Sequence, residues 1–276
     1  MFPLKDNIPT ERFPVITVAL IAINVFVFLF LQHPSGFSSV DDQTVVKYGA
    51  IPYALTHPGK HCGLGDRVTP DGVLITSRHG TVACEGKIVQ TAEGPTTVRT
   101  IPGSQPPAWL TVFTAMFMHG GFLHIIGNML FLWIFGNNVE DAMGRAKFVA
   151  FYLLGGLAAV LLQVAVDPSS TAPTIGASGA IAGVLGGYIL LYPRARVLTL
   201  IFIIFFVTFV ELPAALVLGF WFLQQIFFGA AGLSDPTGGG GGVAYFAHIG
   251  GFAFGLIFIR LFASRLKPTP TRHPVY

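Results

Sequence analysis

A serine and a histidine in separate apolar segments of the chain could together form a nucleophile and its base. Ser178 stands in the run Gly176-Ala177-Ser178-Gly179, and His248 stands in the run Ala247-His248-Ile249-Gly250-Gly251. An imidazole within hydrogen-bonding reach of a serine hydroxyl can take its proton and turn a weak nucleophile into an attacking one. A serine among small residues can also serve only to let two helices pack closely. The pair predicts acyl-transfer chemistry, such as peptide hydrolysis, provided that the fold brings the two side chains together.

Glycines recur every four residues on both segments, which indicates two closely packed helices. They are Gly179, Gly183 and Gly187 on the first segment, and Gly251 and Gly255 on the second. Small residues at this spacing allow two helix backbones to approach each other. At about 1.5 Å per residue, His248 lies roughly 9 Å below the predicted start of its helix at Gly242, in the same outer half of a bilayer as Ser178. The glycine spacing therefore favours contact between the two side chains.

A third group of polar residues, His119, His124 and Asn128, lies at the outer start of another apolar segment. Because a helix turns by about 100° per residue, His124 and Asn128 differ by about 40° and share a helix face. His119 is followed by two glycines, so we expect it at or before the helix start. Hydrogen-bond donors on that face could stabilise the oxyanion of a tetrahedral intermediate. A polar helix cap is the alternative interpretation of the same residues.

The elements that must position these groups are predicted to be membrane helices. Of the 276 residues, 53% are hydrophobic and only 11% are charged, against roughly 25% charged in a soluble domain. This balance excludes a water-soluble, disordered or collagen-like chain, because too few polar side chains exist to cover a globule of this size. A crossing needs about 20 apolar residues, and six crossings are predicted at 15–31, 113–137, 148–166, 176–192, 207–228 and 243–262, with 197–206 as an interfacial or re-entrant approach segment.

The Lys and Arg residues predict the orientation of these spans. With a cytoplasmic N-terminus, ten of the 16 lie in the cytoplasmic segments, none lies in the outer loops 167–175 and 229–242, and the other six lie in the long first loop, 33–112. An excess of Lys and Arg marks the cytoplasmic side. We therefore expect both termini in the cytoplasm, a location in the plasma (inner) membrane and a site that opens to the extracytoplasmic side. The same placement accounts for the net charge of +3 without a nucleic-acid partner.

The long first loop is expected to contain a small β insertion. The stretches 73–76 and 87–91 are rich in β-branched residues and bounded by turn residues. Both cysteines of the chain, Cys62 and Cys84, fall in this loop on the exported side, where a disulfide is permitted. A metal site is the alternative, with nearby histidines at His57, His61 and His79. Their spacing matches no zinc signature, so a disulfide is favoured and no metal is expected.

Taken together, these motifs resemble those of the rhomboid family of intramembrane serine proteases. Four separated matches occur in the family's order: the nucleophile motif 176–179, the base motif 247–251 with Gly255, the cluster of His119, His124 and Asn128, and Glu140 with Gly144. They cover residues 111–262 together with the first span. One departure lies at Ala182, where some family members carry an aromatic residue that packs against the catalytic histidine.

The resemblance implies an all-α polytopic membrane protein, a bundle of six transmembrane helices with a small β-containing extracytoplasmic insertion in its first loop. It also implies a catalytic dyad of Ser178 and His248 without an aspartate, and an oxyanion hole formed by His124, Asn128 and the Ser178 backbone N–H. Structural support of the site is assigned to His119, Gly176, Gly179, Gly251 and Gly255. The expected divisions are the N-terminus with the first span (1–32), the first loop (33–112), the catalytic core (113–263) and a cytoplasmic tail (264–276).

The expected function is hydrolysis of peptide bonds in or near transmembrane segments of other membrane proteins, within a lipid bilayer and without a cofactor. Two alternatives belong to other classes. A catalytically silent relative would bind transmembrane helices without cutting them, and loss of the serine or the histidine would be its sign. A small transporter with a histidine proton relay would need polar residues near mid-membrane, whereas here the polar cluster lies on one side. The oligomeric state is left open.

Three further interpretations concern the fifth span, the loop that follows it and a pair of carboxylates. Trp221 and Gln224 on the fifth span are expected to face the route by which a substrate arrives. The loop 229–242, with five consecutive glycines from Gly238, is interpreted either as a connector or as a mobile cap. The carboxylates of Glu140 and Asp141 are expected to cap the start of the third span or to hold a loop, and not to take part in chemistry.

Overall fold

The computed structural model describes residues 2–34, 40–77, 80–91, 94–103, 105–203, 206–233 and 243–265. The chain divides into two compact units. The first unit comprises Met1–Ile23, Ile126–Leu162 and Ser178–Tyr276. The second comprises Asn24–Ile125 and Gln163–Ala177.

Helices make up most of the described chain. They are α1 (Val15–Phe26), α2 (Asp42–Tyr48), α3 (Pro52–Thr56), α4 (Ala108–Thr114), α5 (Phe122–Phe131), α6 (Asn137–Met143), α7 (Arg145–Val166), α8 (Ser178–Leu191), α9 (Ala214–Leu233) and α10 (Tyr245–Phe262). Two of them continue as single π-helical turns, α1 through Val27–Leu31 and α5 through Leu132–Gly136. The described strands are β1 (Phe2–Asp6), β2 (Cys62–Val68), β3 (Leu74–Thr76), β4 (Thr81–Cys84), β5 (Ile88–Thr91), β6 (Gly94–Thr97), β7 (Arg196–Ile203) and β8 (Phe206–Pro213).

Four helical stretches within the described residues are long and apolar enough to cross a membrane: Phe122–Met143, Arg145–Val166, Ala214–Leu233 and Tyr245–Phe262. Two other predicted spans coincide with shorter apolar helices, Val15–Leu31 and Ser178–Leu191. The count of six crossings therefore stays a prediction.

Two of the predicted span boundaries are wrong. The second span was placed at 113–137, but the long helix begins at Phe122, because 118–121 are not helical and include the pair Gly120-Gly121. The fifth span was placed at 207–228, but 207–213 belong to β8 and the helix begins at Ala214. Pro213 lies directly before that helix, a position that its fixed φ and missing N–H suit.

The first unit contains a three-stranded antiparallel sheet that the all-α prediction did not include. Strand β7 pairs with β8 from Arg196↔Pro213 to Ile203↔Phe206, and β1 pairs with the other edge of β7. The sequences of β7 and β8 are rich in Val, Ile, Phe and Thr, which favour strands. The segment interpreted as an interfacial or re-entrant approach is thus largely one arm of a β-hairpin.

Helices α8 and α10 of the first unit pack with their backbones in contact. A Cβ atom added at Gly251 would collide with the carbonyl oxygen of Gly179, and one added at Gly255 would collide with that of Gly183. A Cβ at Gly179 would lie 2.6 Å from the Cβ of Ala159 on α7. Glycine at these positions lets α7, α8 and α10 approach closely, and the first turns of α8 and α10 carry Ser178 and His248.

Glu140 stabilises the start of α1 and not the start of the third span, so the first of the two alternatives given for these carboxylates is wrong. Its carboxylate accepts hydrogen bonds from the backbone N–H of Ile16 at 3.0 Å, and from the backbone N–H and hydroxyl of Thr17 at 2.8 Å each. The neighbouring Asp141 accepts from the backbone N–H of Glu11 at 2.8 Å. Because the first amides of a helix have no intrahelical acceptors, a carboxylate from another helix can satisfy them and interact favourably with the helix dipole.

Asp6 is a buried carboxyl group at the end of β1. It accepts hydrogen bonds from the Tyr188 hydroxyl and from Nδ2 of Asn138, the latter at 2.8 Å. Burial raises the pKa of the Asp6 carboxyl from 3.8 to about 6, against the opposing effect of these hydrogen bonds. The protonated carboxyl is therefore favoured in the folded protein over a wider pH range than in the unfolded chain.

We expect the Asp6→Asn variant to lose part of the pH dependence of stability. Because the folded pKa is the higher one, the contribution of Asp6 is fully present below pH 3.8 and is lost as the pH rises through about 6. That difference corresponds to up to about 3 kcal/mol in unfolding free energy. The melting temperature in detergent should fall less between about pH 4 and about pH 7 in the variant than in the wild type. Equal falls would contradict the assignment, and Asp71→Asn, at an exposed position, is the control.

The second unit contains five described strands from the segment that was predicted to be a β insertion. Its strands form a three-stranded sheet in the order β3-β2-β4 and a separate β5-β6 hairpin. Cys62 and Cys84 are direct partners across β2 and β4 and are joined by a disulfide. Both are buried, with Val46, Ile51, Tyr53 and Leu64 in the same cluster. Within the described residues no group of three His, Cys, Asp or Glu side chains could hold a metal, and His79 lies outside them.

Candidate active site

Ser178 is the first residue of α8, directly after a turn of small residues. Gly176 has φ of 115°, a backbone conformation that side chains disfavour, so glycine is needed where the chain turns into the helix. Ser178 is half-buried, between the fully buried Ala177 and Gly179. As the first amide of a helix, its N–H has no intrahelical acceptor and can serve an external one.

The Ser178 hydroxyl and the His248 imidazole are in hydrogen-bonding contact. The distance from His248 Nε2 to Ser178 Oγ is 2.7 Å, and both side chains are partly buried. The two residues belong to the same compact unit and lie at the starts of α8 and α10. This geometry suits transfer of the hydroxyl proton to the ring, the step that activates a serine nucleophile.

A second residue, Gln225 on α9, contacts the other side of the imidazole. Its Oε1 lies 2.8 Å from His248 Nδ1, and its side chain is buried with 7% exposed. Trp221, one turn earlier on α9, packs its ring against the imidazole at 5.6 Å between centroids. The sequence interpretation placed the neighbouring Gln224 on the substrate route and did not include Gln225. The signal that could have found it is the spacing of four residues from Trp221, which places both on one helix face.

The ring contact of Trp221 can be compared with the position of Ala182, where some family members carry an aromatic residue that packs against the catalytic histidine. That alanine is fully buried, and its Cβ would lie 3.3 Å from a Cβ added at Gly251. The close approach of α8 and α10 therefore leaves no room there for a large ring. In this protein the aromatic contact to His248 comes from α9 instead.

Asn128 and His124 both lie on α5, the helix from which oxyanion donors were predicted. Asn128 is buried, and its Nδ2 finds no acceptor within the described part of the chain. His124, described within the second unit, accepts a hydrogen bond at Nδ1 from the backbone N–H of Gly120 at 3.2 Å. In a neutral imidazole the proton then resides on Nε2, which makes that atom a donor.

His119 precedes α5 and is fully buried in the second unit. Its backbone N–H donates to Oε1 of Gln32 at 2.8 Å, and its carbonyl accepts from Nε2 of Gln32 at 2.8 Å. Its ring packs edge-on against that of His124, with 5.1 Å between the centroids. Gln32 therefore fixes the backbone just before the helix, a contact that the sequence interpretation did not anticipate.

Comparison with known protein families shows which family this chain belongs to. The sequence model described as the Rhomboid domain matches residues 106–265, which is more than half of the 276 residues. The chain belongs to the rhomboid family. The matched range contains Ser178, His248 and Gln225, and the comparison confirms the family that the motifs indicated. As a rhomboid with apolar helices, it is a membrane protein.

Relatives of this rhomboid occur in fungi, plants and bacteria. It is 30% identical over 155 residues to Rhomboid protein 1, mitochondrial, of Saccharomyces cerevisiae, covering 54% of this chain and 40% of that protein. It is 30% identical over 164 residues to Rhomboid-like protein 11, chloroplastic, of Arabidopsis thaliana, covering 56% and 53% respectively. It is 36% identical over 78 residues to Rhomboid protease GluP of Bacillus subtilis, covering 28% and 15%. The chain thus spans about half, or less, of each relative's length.

Proposed function

We propose that this rhomboid is an intramembrane serine endopeptidase that uses Ser178 and His248 as a catalytic dyad. The observation that carries the proposal is the 2.7 Å contact between Ser178 Oγ and His248 Nε2. It is supported by the printed name of the bacterial relative, Rhomboid protease GluP, to which the chain is similar. The proposed substrates are transmembrane segments of other membrane proteins, cut in or near the bilayer.

The proposed reaction has two halves that use the same base. Ser178 Oγ attacks the scissile carbonyl carbon while His248 Nε2 takes its proton, which forms a tetrahedral intermediate. The C–N bond then breaks as His248 gives the proton to the leaving amine, and an acyl-enzyme ester remains. Water attacks the ester with His248 again as the base, and Ser178 regains its proton when the carboxylic acid leaves. Neither a metal nor a cofactor has a step in this scheme.

Two donors are proposed to stabilise the oxyanion of the intermediate. They are the backbone N–H of Ser178, at the start of α8, and Nδ2 of Asn128. A buried amide group without an acceptor is costly, so the buried Nδ2 of Asn128 supports a role in which the oxyanion becomes its acceptor. His124 lies in the second unit, and its role as a further donor stays a prediction.

The orientation in the membrane is part of the same proposal. The distribution of Lys and Arg supports cytoplasmic termini and a site that opens to the extracytoplasmic side of a plasma membrane. The insertion around the disulfide of Cys62 and Cys84 would then lie in an oxidising compartment, as a disulfide requires. The division into first loop, catalytic core and cytoplasmic tail is proposed on the same basis. Residues 234–242, which contain the glycine run of the candidate cap, lie outside the described residues.

Removing the proposed oxyanion donor should lower the rate of the chemical step. We expect Asn128→Ala to reduce kcat by about 10²- to 10³-fold with little change in KM, because the donor acts on charge that develops in the transition state. Asn137→Ala, at the far end of the same helical stretch, is the matched control. An Asn128→Ala variant with wild-type kcat would remove Asn128 from the oxyanion hole.

The experiment that tests the proposed function is proteolysis by the purified protein in liposomes. The substrate is a tagged single-span protein whose outer end is rich in small residues, because a substrate helix must unwind before Ser178 can attack it. Cleavage by the wild type and none by Ser178→Ala is the expected result. Binding of such substrates without cleavage would favour the catalytically silent, helix-binding alternative.

A further inference from the structure

We infer that Gln225 is a positioning residue that sets the tautomer and orientation of His248, in the place that a carboxylate occupies in a Ser-His-Asp triad. The inference rests on the proposed function and deepens it. It starts from the buried side chain of Gln225 on α9, whose Oε1 lies 2.8 Å from His248 Nδ1. That ring atom is the one opposite the contact with Ser178.

The direction of the hydrogen bond follows from the chemistry of the amide. The Nε2 atom of Gln225 donates to the carbonyl oxygen of Trp221 at 3.2 Å. A backbone carbonyl can only accept, so this contact fixes which end of the Gln225 amide is nitrogen. The end that faces His248 is therefore the oxygen, and because an amide oxygen can only accept, His248 Nδ1 must carry the proton.

The tautomer then determines what happens at the other ring nitrogen. A neutral imidazole carries one N–H, so a proton on Nδ1 leaves a lone pair on Nε2. That lone pair lies 2.7 Å from Ser178 Oγ, which must donate its hydrogen to it. Gln225 thus selects the protonation state in which His248 can act as a general base. The opposite tautomer would direct an N–H at the nucleophile and could not take its proton.

The packing of α9 holds this acceptor in place. Phe222 stacks on Phe252 of α10 at 4.2 Å between ring centroids, and Trp221 lies against the imidazole of His248. These contacts fix the rotation of α9 relative to α10 near the site. As a neutral acceptor, Gln225 orients the ring without placing a second charge in the apolar interior, where an unpaired carboxylate would be costly.

The test compares variants of the full chain in detergent by their rate of labelling with a fluorophosphonate, which reports attack by Ser178 without a protein substrate. Gln225→Met keeps the side-chain length but removes the acceptor, and its labelling rate should fall about 10- to 100-fold. Gln225→Glu restores an acceptor and should recover at least about 10-fold over Gln225→Met. Gln90→Met, the same substitution at an exposed position of β5, is the matched control and should label like the wild type.

A spectroscopic readout separates orientation of the ring from general support of the fold. In protein with ¹⁵N-labelled histidine, the resonances of His248 are identified by their loss in His248→Ala. The wild type should show Nδ1 protonated and Nε2 unprotonated, and Gln225→Met should show a mixture of tautomers at an unchanged melting temperature. If Gln225→Met does not fold, the inference is tested by two other results. These are the tautomer of His248 in the wild-type spectrum and the labelling rate of Gln225→Glu.

The outcomes distinguish the inference from the proposed function. If the wild type labels at Ser178 and Gln225→Met labels equally fast, the inference is overturned and the proposed function stands. If the wild type labels no faster than Ser178→Ala, the proposed function fails, and the tautomer of His248 still decides the inference. A wild-type spectrum with the proton on Nε2 would overturn the inference in either case.

Discussion

Replacing His248 with alanine is expected to lower kcat by at least about 10³-fold, the largest effect of any single change apart from loss of Ser178 itself. The imidazole lies 2.7 Å from the Ser178 hydroxyl and is the proposed base for its proton. A neutral serine hydroxyl is a weak nucleophile. In the proposed reaction, loss of the ring removes both the base for attack and the acid for departure of the amine.

The measurement is the rate of cleavage of the tagged single-span substrate in liposomes. His61→Ala, which removes an exposed imidazole in the insertion, is the matched control and should cleave like the wild type. Melting temperatures of the two variants establish that both are folded. Turnover by His248→Ala within about tenfold of the wild type would contradict the role of His248 as the base.

The second large effect is expected from a single methyl group between α8 and α10. In Gly255→Ala, the added Cβ would collide with the carbonyl oxygen of Gly183 and lie 2.8 Å from the backbone N of Gly187. Backbone atoms cannot move aside as a side-chain end can, so the helices must separate. We expect a loss of about 2 to 3 kcal/mol in unfolding free energy. A shift of about 1 Å between Ser178 and His248 would lower kcat by roughly 10²-fold.

The matched control for this prediction is Gly219→Ala on α9. Nothing lies within 4 Å of a Cβ added there, so the same methyl group meets no neighbour. Alanine is also the better helix former, and Gly219→Ala should be as stable as the wild type or slightly more so. Thermal melting and cleavage rates should therefore separate the two variants. Equal stability and activity would show that the glycines do not set the approach of α8 and α10.

Much of the placement of the dyad can be predicted from the sequence, because it depends on local patterns. Small residues every four positions identify the faces along which α8 and α10 pack. The positions of Ser178 and His248, each near the start of its helix, then put the two side chains at matched depth. These features are carried by a few neighbouring residues, so no knowledge of distant contacts is needed.

Apart from its spacing of four residues from Trp221, nothing in the sequence indicates that Gln225 and not Gln224 lies beside His248. Most residues of α9 are apolar on every side of the helix, so no polar stripe indicates which face is turned inward. Its rotation is set by tertiary contacts such as the stacking of Phe222 on Phe252. A rotation of about 100° separates adjacent residues on a helix. Gln224, which was expected on the substrate route, and Gln225, which lies beside His248, are therefore on different sides of α9.

The β7–β8 hairpin was missed for a related reason. A run of Val, Leu, Ile and Phe from 197 onward has the composition of a membrane span, and apolar runs do not distinguish a strand from a helix by periodicity. The hydrogen-bond donors to Glu140 also could not be predicted from the neighbouring sequence. Its carboxylate is bound by Ile16 and Thr17, which lie more than 120 positions earlier in the chain.

The central claim, that His248 activates Ser178 as a nucleophile, is tested most directly by stoichiometric labelling with a fluorophosphonate. Ser178 Oγ would attack phosphorus, fluoride would leave, and the hydroxyl proton would pass to His248. We predict one label per chain, located on Ser178 by peptide mass spectrometry, with parallel loss of cleavage and no label in Ser178→Ala or His248→Ala. Cleavage that persists in Ser178→Ala, or a label that maps to another serine, would contradict the account.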